Sequence, residues 1–285
     1  MPPPRVGSEA WATISRIWRL SSTTTAIRLN VDLPRPPAPP FTFEPGQWVD
    51  FHIPSIQQVG GYSITSLPSE LPSLDLAIKA SAHPPAAWCT GQAKEGERVA
   101  LRVGGSFVLR ETRQAALFIA GGVGINPLYS MLRELCVRPA AAPKLALLYR
   151  ARTRDELLFS SELHAIARQL PERTRFWLGA TREAGLVQPV AAAPGVPGYA
   201  DGRVGQAELE IALQWLGCEP NAVRPGQRAV PWRAGSQARV PGSAGGGCAS
   251  GELAAYVCGP PRMTDETTTA LWQMGVADVY SERWW

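Results

Sequence analysis

In the stretch LFIAGGVGINPLYSMLREL, residues 117–135, four apolar residues run into a glycine loop and an amphipathic segment follows at once. That order of residue types suits a phosphate. Gly121, Gly122 and Gly124 let the backbone turn sharply and come close to a ligand without Cβ clashes. Asn126 followed by Pro127 predicts an N-cap and a first helical residue. Free N–H groups at such a helix start, aided by its dipole, would face the pyrophosphate of a dinucleotide. The G-x-G-x-x-G spacing is missing, so a glycine turn of purely structural purpose is the alternative, and the absence of G-K-[ST] excludes a P-loop.

A loop of this kind needs a strand before it and a helix after it. From Phe107 onward, AALFIA, KLALLY, RFWLGA and AAYVC predict buried parallel strands, while NPLYSMLREL, FSSELHAIARQL, QAELEIALQWL and TTTALWQM carry apolar residues at helical spacing. Strand alternating with helix predicts a doubly wound α/β domain. Between Trp11 and Leu109 the signals differ. Short alternating or β-branched runs (ATISRIWRL, TTTAIRLNV, QWVDFHI, YSIT, LDLAIKA, ERVALRV) are separated by Pro and Gly clusters, which predicts a small antiparallel β-barrel or sandwich. The expected layout is therefore two domains, a six-stranded antiparallel β-barrel over residues 11–111 and a parallel-sheet nucleotide-binding domain over residues 112–285. Residues 218–250, rich in Pro, Gly, Ala and Arg and without periodicity, are expected to be a disordered insertion.

Composition narrows the function classes. With 45% hydrophobic and 18% charged residues the chain is globular. Its formal charge of +4 is concentrated in residues 218–250, which hold four Arg and one Glu, so no nucleic-acid partner is expected. Five cysteines without a C-x-x-C pair predict reduced intracellular thiols, and three scattered histidines predict no metal site. No apolar run is long enough for a membrane span, and the N-terminus shows neither a secretory apolar region nor a mitochondrial presequence.

Taken together, GGYSIT, HPPAAW, RVGGSF, AGGVGINPLYSML, ELLF, CGPPRMTD and the terminal ERWW resemble the ferredoxin–NADP reductase superfamily over essentially the whole chain outside 218–250. The resemblance implies an FAD-binding barrel followed by an NAD(P)-binding domain, and a mitochondrial or otherwise cytoplasmic setting. It implies that Gly121, Gly122, Val123, Gly124, Ile125 and Asn126 hold the pyrophosphate of NAD(P)H. Cys258, Gly259, Pro260 and Pro261 would border the nicotinamide. Tyr62 and Ser63 match the end of the R-x-Y-S motif that lies against the flavin ring and N5. Trp285 corresponds to the aromatic that covers the flavin face, Glu282 to an acidic residue near that site, and Thr181 with Arg182 to a run that holds a 2′-phosphate. Simpler roles are open to several of these residues: Tyr62 as an ordinary barrel tyrosine, Cys258 as a small core residue, and Trp284 and Trp285 as packing groups.

The pattern breaks at the flavin phosphate. Gly60 stands where the motif has arginine, and His83, Pro84, Pro85 and Ala86 stand where it has G-x-x-S. A charged donor, a hydroxyl and two backbone N–H groups are lost. Two functions follow as expectations. In one, NAD(P)H passes hydride to a bound flavin, FAD or FMN, and on to an unknown acceptor, small molecule or protein. In the other, the chain is a nicotinamide-dinucleotide-binding sensor or assembly partner that has lost flavin and turnover.

Overall fold

The computed structural model describes residues 5–110, 114–183, 194–195, 198–199, 202–219 and 252–284. Most of the expected insertion, residues 220–250, and Trp285 lie outside them. The chain divides into two compact units: residues up to Leu109 together with Asn126–Glu134, and Arg110–Ile125 together with Leu135–Trp285.

The first unit holds β1 (Arg5–Arg19), β2 (Thr24–Val31), β3 (Trp48–Ile53), β4 (Gln58–Ser63), β5 (Ser73–Lys79), helix α1 (Pro84–Gly91) and β6 (Arg98–Gly104). Its six strands pair antiparallel in the order β4-β3-β6-β1-β2-β5. The two edge strands meet at one bridge, Ile64 to Leu76, beside which the Thr65 amide donates to the Asp75 carbonyl at 2.9 Å, so the sheet curls closed. Period-two alternation builds its core: in β3, Val49, Phe51 and Ile53 point inward while Trp48, Asp50 and His52 are only partly buried. The segment Asn126–Glu134 belongs to this unit, where Ser130 Oγ donates to the Ser66 carbonyl at 2.9 Å and Arg133 makes two bonds to the Glu70 carboxylate at 2.9 and 2.6 Å.

One local expectation needs correction and one element is new. The strand expected at YSIT runs earlier, over Gln58–Ser63, because register with β3 extends it through Gly60 and Gly61, residues with little strand propensity of their own. HPPAAW, for which the residues alone predict no element, is the start of α1. Pro84 and Pro85 fill the first two helical positions, where the missing N–H groups have no intrahelical partner to lose.

The second unit carries β7 (Ala115–Gly121), only the two ends of α2 (Ile125–Cys136), whose middle belongs to the first unit, and then β8 (Lys144–Ala151), α3 (Ser160–Gln169), β9 (Thr174–Ala180), β10 (Gly198–Tyr199), α4 (Gln206–Trp215), β11 (Leu253–Gly259), α5 (Pro261–Gln273) and β12 (Asp278–Arg283). Its sheet is parallel throughout, in the order β10-β9-β8-β7-β11-β12. Every residue of β7 and β11 is buried, the pattern of strands covered on both faces. Leu117, Ile119, Leu148 and Val257 share one core with Leu213 of α4 and Leu271 of α5. Phe118, Tyr256 and Tyr280, aligned across β7, β11 and β12, stack with ring centroids 5.3 and 5.4 Å apart. β12 was not expected from sequence: of its six residues only Val279 is buried, too little apolar signal for a strand. The expectation of reduced thiols fails at Cys218, which is disulfide-bonded. Spacing alone does not reveal which distant cysteines the fold brings together.

A buried ion pair ties α4 to the sheet. Arg150 on β8 is 3% exposed, donates to the carbonyls of Gly202 and Trp177 at 3.1 Å, and pairs with Glu208, whose other oxygen accepts from the Gly205 amide at the helix start. Glu208→Ala takes the carboxylate away from a buried guanidinium and removes the cap. The expected cost is about 3–5 kcal/mol, and an unchanged thermal midpoint would contradict this account of the pair.

Candidate dinucleotide and redox site

In the second unit, β7, β11 and β12 end side by side. Register places Cys258 opposite Ala120 on one flank and Glu282 on the other, and Gly259 opposite Arg283. A 3₁₀ turn, Gly122–Gly124, follows β7 and runs directly into α2.

The glycines of this turn do different work. A Cβ on Gly124 would lie 2.3 Å from the Cys258 carbonyl oxygen and 2.8 Å from the Gly259 Cα. One on Gly121 would lie 2.6 Å from Met263 Sδ and 2.8 Å from Pro260 Cδ. These two are glycine because the protein itself packs there. Gly122 has a φ of +56° and nothing within 4 Å of the place a Cβ would take, so it is the position that faces open space. Val123 beside it is partly exposed, and Ile125 is fully buried.

Asn126 is not the N-cap that the sequence predicts. Gly121, with extended backbone at φ −124° and ψ 114°, precedes the first turn, so helical geometry begins before Asn126 is reached. The Asn126 side chain instead donates from Nδ2 to the Ala77 carbonyl at 2.8 Å, and its Oδ1 is buried without a partner among the described residues.

At the ends of β11 and β12 three side chains converge. Cys258 is fully buried, and burial followed by the nearby Glu282 charge pushes its thiol well above the ordinary value. Burial raises the Glu282 carboxyl to about 8, against the opposing bond from Trp284, whose Nε1 donates to Glu282 Oε2 at 3.1 Å. The Trp284 amide donates to the Gly259 carbonyl at 2.9 Å. The Trp285 to which the sequence points lies outside the described residues; Trp284, just past the end of β12, is set against Glu282.

Thr181 and Arg182 follow β9 on the same edge of the sheet. The Thr181 amide and hydroxyl both donate to the Ala151 carbonyl, at 2.9 and 3.2 Å, while the exposed Arg182 guanidinium makes no hydrogen bond or ion pair among the described residues. Tyr62 and Ser63 lie in the barrel unit. Ser63 is 5% exposed, and the Tyr62 ring meets Phe51 edge to face, with centroids 5.8 Å apart at 72°.

A glycine turn open at one backbone position, at the carboxyl edge of a parallel sheet, is the usual place for a dinucleotide. The sequence profile described as the oxidoreductase NAD-binding domain matches residues 118–190, which include this turn. A protein of Bos taurus named oxidoreductase NAD-binding domain-containing protein 1 is 31% identical over 263 residues, covering 86% of this chain and 72% of that one. Its namesake in Danio rerio is 30% identical over 282 residues, covering 93% and 89%. A ferredoxin NADP+ reductase from Neisseria gonorrhoeae, solved with bound FAD and NADP, superposes with a TM-score of 0.66 at 15% identity, covering 96% of this chain and 98% of that one. The fold is the two-domain architecture of the ferredoxin–NADP reductases, with a nicotinamide-dinucleotide-binding domain. Within that class, the chain belongs to the oxidoreductase NAD-binding domain-containing protein 1 family. Among the described residues no helix is long and apolar enough to cross a membrane.

Proposed function

We propose that the chain is an NAD(P)H-dependent oxidoreductase that works at the edge bordered by Gly122, Cys258, Glu282 and Trp284. The observation that carries this reading is the pairing of an open Gly122 backbone with a carboxyl held near 8 two strands away in the same sheet. N–H groups of the Gly122–Gly124 turn bind the pyrophosphate, and Gly259 and Pro260 border the nicotinamide. Hydride, with its two electrons, leaves C4 of the dihydronicotinamide for an acceptor and NAD(P)+ remains. Glu282, protonated at neutral pH, supplies the proton that completes the acceptor's reduction. Cys258, neutral and buried, is a wall rather than a nucleophile.

A flavin is what the superfamily's fold implies, and the Neisseria structure contains one. The residues here do not fit its phosphate: α1 begins with two prolines, and position 60 has no room for a side chain. The test is consumption of NAD(P)H with two-electron acceptors, small-molecule and protein. Those same losses favour a second reading, a dinucleotide-binding sensor or assembly partner. Tight NAD(P)H binding with no oxidation by any acceptor identifies it.

NADH is the expected cofactor, as the names of the Bos and Danio relatives suggest. With the Thr181 hydroxyl engaged by Ala151, a 2′-phosphate would find only Arg182, a single exposed cation. Arg182→Ala should leave NADH affinity within about threefold and remove any preference for NADPH, since a charge-assisted contact is worth about 1.5–3 kcal/mol at most. A strong NADPH preference lost in that variant would reverse the assignment.

A further inference from the structure

We infer that Tyr62 serves as a core side chain of the barrel and fills the volume through which a residue at position 60 would reach a flavin phosphate, so that the barrel does not distinguish flavins by their phosphates. The inference concerns the barrel alone and stands whether or not the dinucleotide edge turns over.

Register places Gly60 opposite Phe51 and Tyr62 opposite Val49, and both partners are fully buried, so positions 60 and 62 share the inward face of β4. The Tyr62 ring folds back along that face. A Cβ on Gly60 would stand 2.6 Å from Tyr62 Oη, 2.7 Å from Cζ and 2.8 Å from Cε2. Gly60 and Tyr62 are thus a matched pair, and no residue with a side chain fits at 60 while the ring stays where it is. The ring packs edge to face on Phe51 and lies, partly buried, against the core cluster that includes Trp88 and Cys89 of α1.

The hydroxyl shows the same adaptation. Tyr62 Oη is buried, and the polar group it meets is the thiol of Cys89 on α1. That thiol is itself buried, so the phenol is turned to the barrel interior rather than to a ligand. The loss at α1 is independent of it, because Pro84 and Pro85 remove two N–H groups from the helix start that would face a phosphate.

Two measurements test this. The purified full chain is titrated with riboflavin, FMN and FAD, with NADH binding measured in parallel. Affinities for the three flavins within threefold of one another, or equally undetectable, are expected. FMN or FAD binding tenfold more tightly than riboflavin, or flavin retained through gel filtration, overturns the inference. Failure to bind NADH would instead count against the proposed function and leave the barrel untouched. The second measurement is a double-mutant cycle on thermal midpoints. Gly60→Ala should lower the midpoint by several degrees in the native background and by much less in Tyr62→Ala, and Tyr62→Phe, which keeps the ring and gives up only the contact with the Cys89 thiol, should lower it far less than Tyr62→Ala. Additive effects of Gly60→Ala and Tyr62→Ala, or a large loss in Tyr62→Phe, would show that the ring does not occupy that volume.

Discussion

A Gly122→Val protein is expected to fold and to bind NAD(P)H at least tenfold more weakly, whereas Gly124→Val is expected to prevent the second unit from assembling. The two positions are two residues apart in sequence and opposite in surroundings. At Gly122 a Cβ meets nothing within 4 Å, so the valine methyls project into the open side of the turn, where a pyrophosphate would approach the backbone. The positive φ of +56° adds strain; about 1–2 kcal/mol is a fair measure for an L side chain there, and a domain with 5–15 kcal/mol of stability survives it. At Gly124 the obstruction is backbone, the Cys258 carbonyl at 2.3 Å, and that carbonyl cannot retreat without tearing β11 from its neighbours. Gly121 should lie between the two, since its nearest neighbour is a flexible methionine side chain, Met263. Calorimetric titration with NADH and thermal melts of the three variants separate these effects. Unchanged affinity in a folded Gly122→Val protein would remove the turn from the binding site.

Much of this was legible in the chain because burial imposes periodicity. Buried parallel strands such as AALFIA and KLALLY announce themselves as unbroken apolar runs, and the barrel strands as alternation, so both sheets and the turn between β7 and α2 follow from the residues. What failed shares one cause: side-chain identity does not state direction. Gly60 looks like a lost arginine, but only coordinates show the tyrosine lying across it. Asn126 has the chemistry of a cap, but the glycine turn starts the helix early and frees it to bond Ala77. β12 carries too little apolar character to be seen, and without it Glu282 has no defined neighbour; register with β11 is what brings it to Cys258. Trp284 follows β12 directly and meets Glu282, a pairing that no apolar pattern announces.

Glu282→Gln should make the protein more stable than the native chain at pH 8–9 and no more stable near pH 4.5. Burial raises this carboxyl from its ordinary 4.5 to about 8. Between those values the folded protein holds a proton that the unfolded chain has released, so stability falls as pH rises through the window and the loss is complete only above about 8. The distance between the two values sets a ceiling of about 5 kcal/mol; solvent at the partly exposed carboxylate brings the expected gain to about 1–3 kcal/mol. Glutamine keeps an oxygen for the Trp284 Nε1 bond and has no charge to bury, which isolates the titration from the packing. The same proton should govern turnover. If Glu282 donates it, the rate of NAD(P)H oxidation falls above pH 8 in the native protein, and in Glu282→Gln it is low and flat. Trp284→Phe separates this from a purely structural role. Its indole bond favours the ionised carboxylate, so its loss should move the alkaline limb to higher pH, opposite to any trend from general destabilisation. A limb that stays in place in Trp284→Phe and survives in Glu282→Gln would assign the proton to another group.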